Sequence, residues 1–247
     1  MAAPRKVLLV LDSALAAAAA LELSAALVRA AAVELDALFV ENAAALDAAA
    51  LPFARVLRHP GGRWEPLERG TIEDALREQA RRVQRQLDDF TGRFNVPSMM
   101  RIVRGSIAAA TRGTAGAADL VLVGAVAPWP GHSPARRRAR RRVLAVVYDD
   151  SEASIRALGV ARQLAADLPA SIRLVVPASS ADDFRRRFAA ALRRLDGDRQ
   201  ATVGQQVDAA DAITPQHLVG ADIVVAPWSA FASTPTLPTG ALLLLVR

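Results

Sequence analysis

The chain has 247 residues, 52% of them hydrophobic, enough for one large core or two modest ones, and no cysteine, which excludes disulfides, thiolate metal sites and cysteine nucleophiles. Its net charge of +6 equals the six arginines Arg136, Arg137, Arg138, Arg140, Arg141 and Arg142, so the remainder is neutral. That pattern reads as a solvated connector, with an anion contact as the alternative, and not as the spread basic face with interleaved aromatics of a specific nucleic-acid binder.

Arg5 and Lys6 precede an apolar run and an alanine stretch, a superficial likeness to a secretory signal, but Asp12 interrupts the run, and Glu22 and Arg29 follow at helical spacing. No uninterrupted segment approaches the length that spans a bilayer, so the expectation is a cytoplasmic protein without membrane contact. Residues 7–11 form a continuous apolar run, the pattern of a parallel strand covered on both faces. Ser13 can cap a helix running to about Ala32, and residues 35–40 supply a second strand. Residues 42–70 are an insertion rich in turn formers, with a short helix near 44–51. Thr71 and Asp74 read as a capping box before a helix whose apolar stripe is Ile72, Leu76, Val83, Leu87, Phe90 and Phe94. Its opposite face is charged. Such a stripe suits the side of a sheet, with a partner-binding helix as the sharper reading. A strand over 99–104, Gly105 and Ser106 opening a small-residue helix, and a strand over 120–123 follow. A loop with Pro128, Pro130, Gly131 and Pro134 then runs into the arginines.

From Arg142 the chain repeats itself. "RKVLLVLDSALAAAAALELSAALVRAAAVELDALFV" is answered by "RRVLAVVYDDSEASIRALGVARQLAADLPASIRLVV", and "ADLVLVG" from Ala118 by "ADIVVAP" from Ala221. A repeat of domain length predicts two similar α/β units, each with its own sheet and crevice: residues 1–135 and 142–247, joined by an Arg-rich linker, 136–141. Strands are expected over 143–148, 172–176, 201–207, 223–225 and 242–246. Helices are expected over 151–167, 181–195 and 215–219, the last capped by Thr214 with Pro215 at its first position. The second unit thus ends in a fifth strand, "ALLLLV", whereas the first has only the Pro- and Arg-rich loop in that place. The bare edge this leaves predicts pairing of first halves, or cover from elsewhere in the chain.

In open parallel sheets, ligands sit beyond the carboxyl ends of the strands where strand order reverses. The first-half crevice then holds Asp12, Ser13 and Gly124, and the second-half crevice holds Asp149, Asp150, Ser151 and Ala226. An aspartate there either accepts hydrogen bonds from a ribose or base or caps the next helix. Both readings stay open for Asp12, while capping is favoured for Asp149–Asp150–Ser151. His59, His132 and His217 lie far apart without metal-ligand spacing. No P-loop, nucleophile elbow, zinc-protease motif or dinucleotide fingerprint is present. Trp129 and Trp228, each after Ala-Pro, either stack on a ligand or partner or close the rim of the sheet.

"VLLVLDSA" and "VLAVVYDDSEAS" resemble the opening strand of universal stress protein domains, and "IVRGS" with "ADLVLVGA" resembles that family's third strand, helix and fourth strand. The resemblance covers both halves and is weakest over 42–70. It implies two tandem Rossmann-like (HUP-type) parallel-sheet units with strand order 3-2-1-4-5, the first lacking its fifth strand, paired domains, and stress-related roles in the cytoplasm. One branch of that family binds ATP through the first-strand aspartate and a loop of pattern G-x2-G-x9-G followed by serine or threonine. The resemblance makes Asp12, Ser13, Gly105 and Gly124 a candidate nucleotide crevice, with Asp149 and Ser151 its degenerate counterpart. This chain departs from the loop. Gly124 matches the first glycine, but Ala127 stands at the second, Pro128 and Pro130 lack the N–H donors that cradle phosphate, and Arg137 and Arg138 stand where the third glycine is expected. An alanine forced into the left-handed region costs roughly 1–2 kcal/mol. In the second half Ala226 and Pro227 replace even the first glycine. The expectation is a non-enzymatic stress-response module acting through a protein partner or self-association, with a homodimer possible and ATP binding lost. The alternative is an ATP- or AMP-binding protein using the first-half crevice.

Overall fold

The computed structural model of the chain describes residues 5–30, 32–57, 62–114, 116, 118–124, 142–195, 201–209, 211, 213–231 and 241–247. The Pro-rich loop with Ala127, Trp129 and its prolines, the 136–141 arginines, His59 and His132 lie outside the described residues. In the first half β1 (Arg5–Leu11), α1 (Ala14–Ala30) and β2 (Val33–Asn42) open the fold. They are followed by α2 (Ala43–Ala49), the hairpin β3 (Arg55–Leu57) and β4 (Trp64–Pro66), α3 (Arg69–Phe94), β5 (Ser98–Gly105), α4 (Ile107–Thr114) and β6 (Leu120–Gly124). The second half runs β7 (Arg142–Val147), α5 (Glu152–Asp167), β8 (Ala170–Ala178), α6 (Ala181–Arg194), β9 (Ala201–Asp208), a 3-10 turn at Pro215–Leu218, β10 (Ile223–Pro227) and β11 (Leu242–Val246).

Two expectations need correction. The sheets are not separate: nine strands form one sheet in the order β5-β2-β1-β6-β11-β10-β7-β8-β9. The first half's missing fifth strand is supplied by the second half. β11 pairs parallel with β10 and antiparallel with β6, Leu244 standing opposite both Val225 and Leu122. All five β11 residues are buried, as a strand with neighbours on both sides and cover on both faces requires. Of the two outcomes expected at that edge, pairing of first halves or cover from elsewhere in the chain, the structure shows the second. The second correction concerns α3. It starts at Arg69, so Thr71 lies inside the first turn and no capping box forms; the N-cap is Glu68, with no side-chain cap bond. The β3–β4 hairpin within the insertion was not expected, and in place of a helix over 215–219 stands the 3-10 turn Pro215–Leu218, where the His217 ring accepts from the Thr214 amide at 3.2 Å.

Alternate residues of each strand face opposite layers. Val7, Leu9, Leu11, Leu122, Leu144, Val146 and Leu244 pack under α1, α3, α5 and α6, while Leu8, Val10, Val121, Ala145, Val224 and Leu243 face the layer of α4 and Leu218. The small residues of α1 (Ala16, Ala17 and Ala20, all fully buried) bring that helix close to the sheet. Each half is locked by the same device. Asp119 accepts from the Lys6 amide at 2.9 Å and Asp222 from the Val143 amide at 2.9 Å, and each returns its own amide to the same residue's carbonyl. The repeated Ala-Asp thus fastens each fourth strand to its first. Replacing Asp222 by alanine strands the Val143 amide and is expected to cost about 1–2 kcal/mol; Asp119→Ala, at a more exposed bond, should cost less. Urea unfolding of the two variants checks the order.

Candidate functional site

Because β11 meets β6 antiparallel, the two halves point in opposite directions and their crevices open at opposite ends of the sheet. In the first half β1 and β6 are neighbours with Leu11 opposite Gly124, so Asp12 and Ser13 emerge beside the end of β6. Gly124 is closely packed. A Cβ there would lie 3.1 Å from the Ala16 Cβ, the Ala16 carbonyl oxygen and a Leu11 methyl. The close approach of α1 and Leu11 leaves little space for a side chain there. Gly105 ends β5 with φ +152, a conformation that favours glycine, but β5 is separated from β1 by β2, so it stands apart from Asp12 and Gly124.

Asp12 does not cap α1. Ser13 does, its Oγ accepting from the Ala16 amide at 3.3 Å. The Ala14 amide is taken from outside, by Gln79 Oε1 of α3 at 3.0 Å. Gln79 falls on the apolar stripe of α3, between Leu76 and Val83, and a polar residue in such a stripe is the signal that could have marked it. Asp12 is left with Oδ1 buried and without a hydrogen-bond partner among the described residues. Burial pushes its carboxyl above the ordinary carboxylate range, against the opposing hydrogen bond from Ser13.

The equivalent position in the second half is differently arranged. Strand register places Val7 and Leu144 at equivalent points, opposite Leu120 and Ile223, so Asp149 matches Asp12 and the second half carries one extra residue before its helix. Asp150 takes up that extra length in a left-handed turn, φ 68, which aspartate tolerates better than most residues. Asp149 Oδ1 accepts from both the Ser151 amide (3.0 Å) and the Ser151 hydroxyl (2.6 Å), while Ser151 caps α5 through the Ser154 amide. Burial alone would raise the Asp149 carboxyl, but the Ser151 bonds hold it below the ordinary range. Tyr148, fully buried, donates to Asp150 at 2.6 Å, and burial followed by that bond pushes its hydroxyl up to about 12. Arg194 of α6 stands 3.7 Å from the same carboxylate, a partner the sequence did not suggest. Trp228 is partly buried at the end of β10, packed against the layer that contains Phe231. Among the described residues, the second crevice has no buried polar side-chain atom left unpaired, while the first has one, Oδ1 of Asp12.

Among the described residues no group of three or more His, Asp or Glu is placed to hold a metal, and no helix is long and apolar enough to cross a membrane. No family model and no curated protein matches the chain. Among solved structures it is similar to a universal stress protein from Archaeoglobus fulgidus DSM 4304, at 12% identity over 98% of each chain with a TM-score of 0.49. It is also similar to the cytoplasmic domain of a prokaryotic cation chloride cotransporter, at 11% identity over 98% of this chain and 95% of that one, TM-score 0.45. A universal stress protein in complex with cAMP matches 43% of this chain over 97% of its own length, at 19% identity and TM-score 0.33. The fold is established here by the chain's own strand order and register.

Proposed function

We propose that the chain is a non-enzymatic regulatory module of the universal stress protein kind, made of units 1–135 and 142–247, that takes one small ligand in its first-half crevice and passes the response on through protein contacts in the cytoplasm. The observation that supports a ligand is the buried oxygen of Asp12, without a hydrogen-bond partner among the described residues, at the point where strand order reverses. An acceptor so placed suits a ligand with hydroxyl or amino donors, such as the ribose of a nucleoside or AMP. A triphosphate suits it poorly. Two of the first amides of α1 are already taken by Gln79 and Ser13, and the loop after β6 carries Pro128 and Pro130 where N–H donors would be needed. The sequence resemblance supports the stress-response setting.

Titration calorimetry of the full chain with adenosine, AMP and magnesium ATP tests this reading. One site per chain is expected, with AMP bound at least as tightly as ATP and no phosphate released. Binding of none of the three, or two equivalent sites, would overturn it.

Asp12→Asn should abolish that binding while raising stability. The folded carboxyl titrates above its unfolded value, so the native state holds the proton more tightly and stability falls as pH rises from the unfolded pKa through the folded one. At neutral pH the ionised group is a burden, and asparagine removes it. A melting temperature above the parent at pH 7, with the gap closing as the pH falls to the unfolded pKa, is expected from thermal scans. A variant that melts lower at pH 7 would show that Asp12 is a structural group.

A further inference from the structure

A second polar group is left unsatisfied far from either crevice. Arg173 lies in β8, beside Ala145 of β7 and Val203 of β9 in register, on the face opposite α5 and α6. Its Nη1 donates to the Val219 carbonyl at 2.9 Å, which fixes the plane of the guanidinium. Nε and Nη2 are buried and have no hydrogen-bond partner among the described residues. These two nitrogens form the edge whose parallel N–H bonds grip both oxygens of a carboxylate. Burial pulls the guanidinium pKa down. Arg173 as a whole is half-buried, but two guanidinium nitrogens out of reach of solvent and unpaired in a native fold point to a water, ion or ligand.

The surroundings narrow the class. Ala145 is fully buried and small, while Val203 and Val219 are 56% and 71% exposed, so the closed fork lies beside apolar residues that solvent reaches. One positive charge there is neutralised by a monoanion, whereas a phosphate dianion leaves excess negative charge against apolar walls. We propose that Arg173 anchors a binding site for a small monocarboxylate with a short aliphatic body, its two oxygens on Nε and Nη2 and its body against Val203 and Val219. The fork has no room for a ligand without movement. Val219 leads into Gly220, whose φ of 80 marks a turn built on glycine, and this turn is the part that yields. The site is distinct from both crevices. Four strand spacings, roughly 19 Å, separate β8 from β6, and Arg173 registers with Ala145, four residues before Asp149, roughly 13 Å along the strand.

Thermal melting and calorimetry of the full chain with sodium butyrate, acetate, phosphate and chloride, at matched pH and ionic strength, test the proposal. Butyrate should raise the melting temperature saturably and bind more tightly than acetate, with phosphate and chloride giving no saturable shift. Arg173→Met should melt above the parent without ligand and lose the butyrate response. Arg173→Lys, which keeps the charge but not the fork, should bind at least about tenfold more weakly. Equal butyrate responses in parent and Arg173→Met would overturn the proposal, as would phosphate matching butyrate. Arg173→Met melting below the parent in the absence of carboxylate would do the same, since the fork would then already have a partner within the folded chain.

Discussion

Leu244→Ala is expected to lower the unfolding free energy by about 3–5 kcal/mol and to weaken both halves of the molecule at once. Leu244 is fully buried, opposite Val225 in β10 and Leu122 in β6, and it points into the layer beneath the helices. Removing a large side chain from such a place loses its transfer free energy and leaves a void that two sheet neighbours and the helices above cannot fill. Because β11 is a neighbour of both fourth strands, the damage has no boundary at the linker. Urea unfolding should remain a single transition at a lower midpoint. Hydrogen exchange should quicken in β1 and β6 as well as in β7 and β10. Loss of protection confined to the second half would show that the β6–β11 pairing adds little.

Gly204→Ala should cost about 1–3 kcal/mol despite adding only one methyl group to an edge strand. A Cβ at this position would sit 2.5 and 2.7 Å from two carbons of the Phe188 ring and 3.0 Å from the tip of Phe184. The two rings are stacked, centroids 5.5 Å apart and planes within 13°, and lie directly over the glycine backbone where α6 covers β9. Neither ring can turn aside without breaking the stack. The double variant Gly204→Ala/Phe188→Leu should recover part of the loss, and a double-mutant cycle in urea measures that coupling. Strict additivity of the two changes would mean that the ring is not what excludes the methyl.

The central strands β1, β6, β7, β10 and β11 were legible because each is a nearly continuous apolar run, and strand, aspartate and helix recur in order in the second half of the sequence. The union of the halves was not. A doubly covered strand such as "LLLLV" has the same side-chain pattern whether its second neighbour is absent, parallel or antiparallel, so the pattern is silent about β6. Direction is decided by backbone pairing, which leaves no trace in residue choice here. The aspartates of the repeated "AD" were visible, yet their bonds run to residues 113 and 79 positions away, Lys6 and Val143. At the site, Asp12 and Asp149 look alike in sequence. One inserted residue, Asp150, lets Ser151 reach back to Asp149, and nothing equivalent reaches Oδ1 of Asp12. The capping box misplaced at Thr71 arose because the helix already begins a turn earlier, where Glu68 gives no side-chain sign of a start.

The order of synthesis gives β11 a further consequence. Some 120 residues separate Leu122 from Leu244 along the chain, yet they stand directly opposite each other in one ladder. While a ribosome is still making the second half, the last-placed strand of the first half presents an open flank of free amides and carbonyls. Contacts so distant in sequence form slowly, and unpaired flanks attract foreign strands. Nascent first halves should therefore be the species that chaperones hold, until the leucine-rich strand emerges and shuts the sheet.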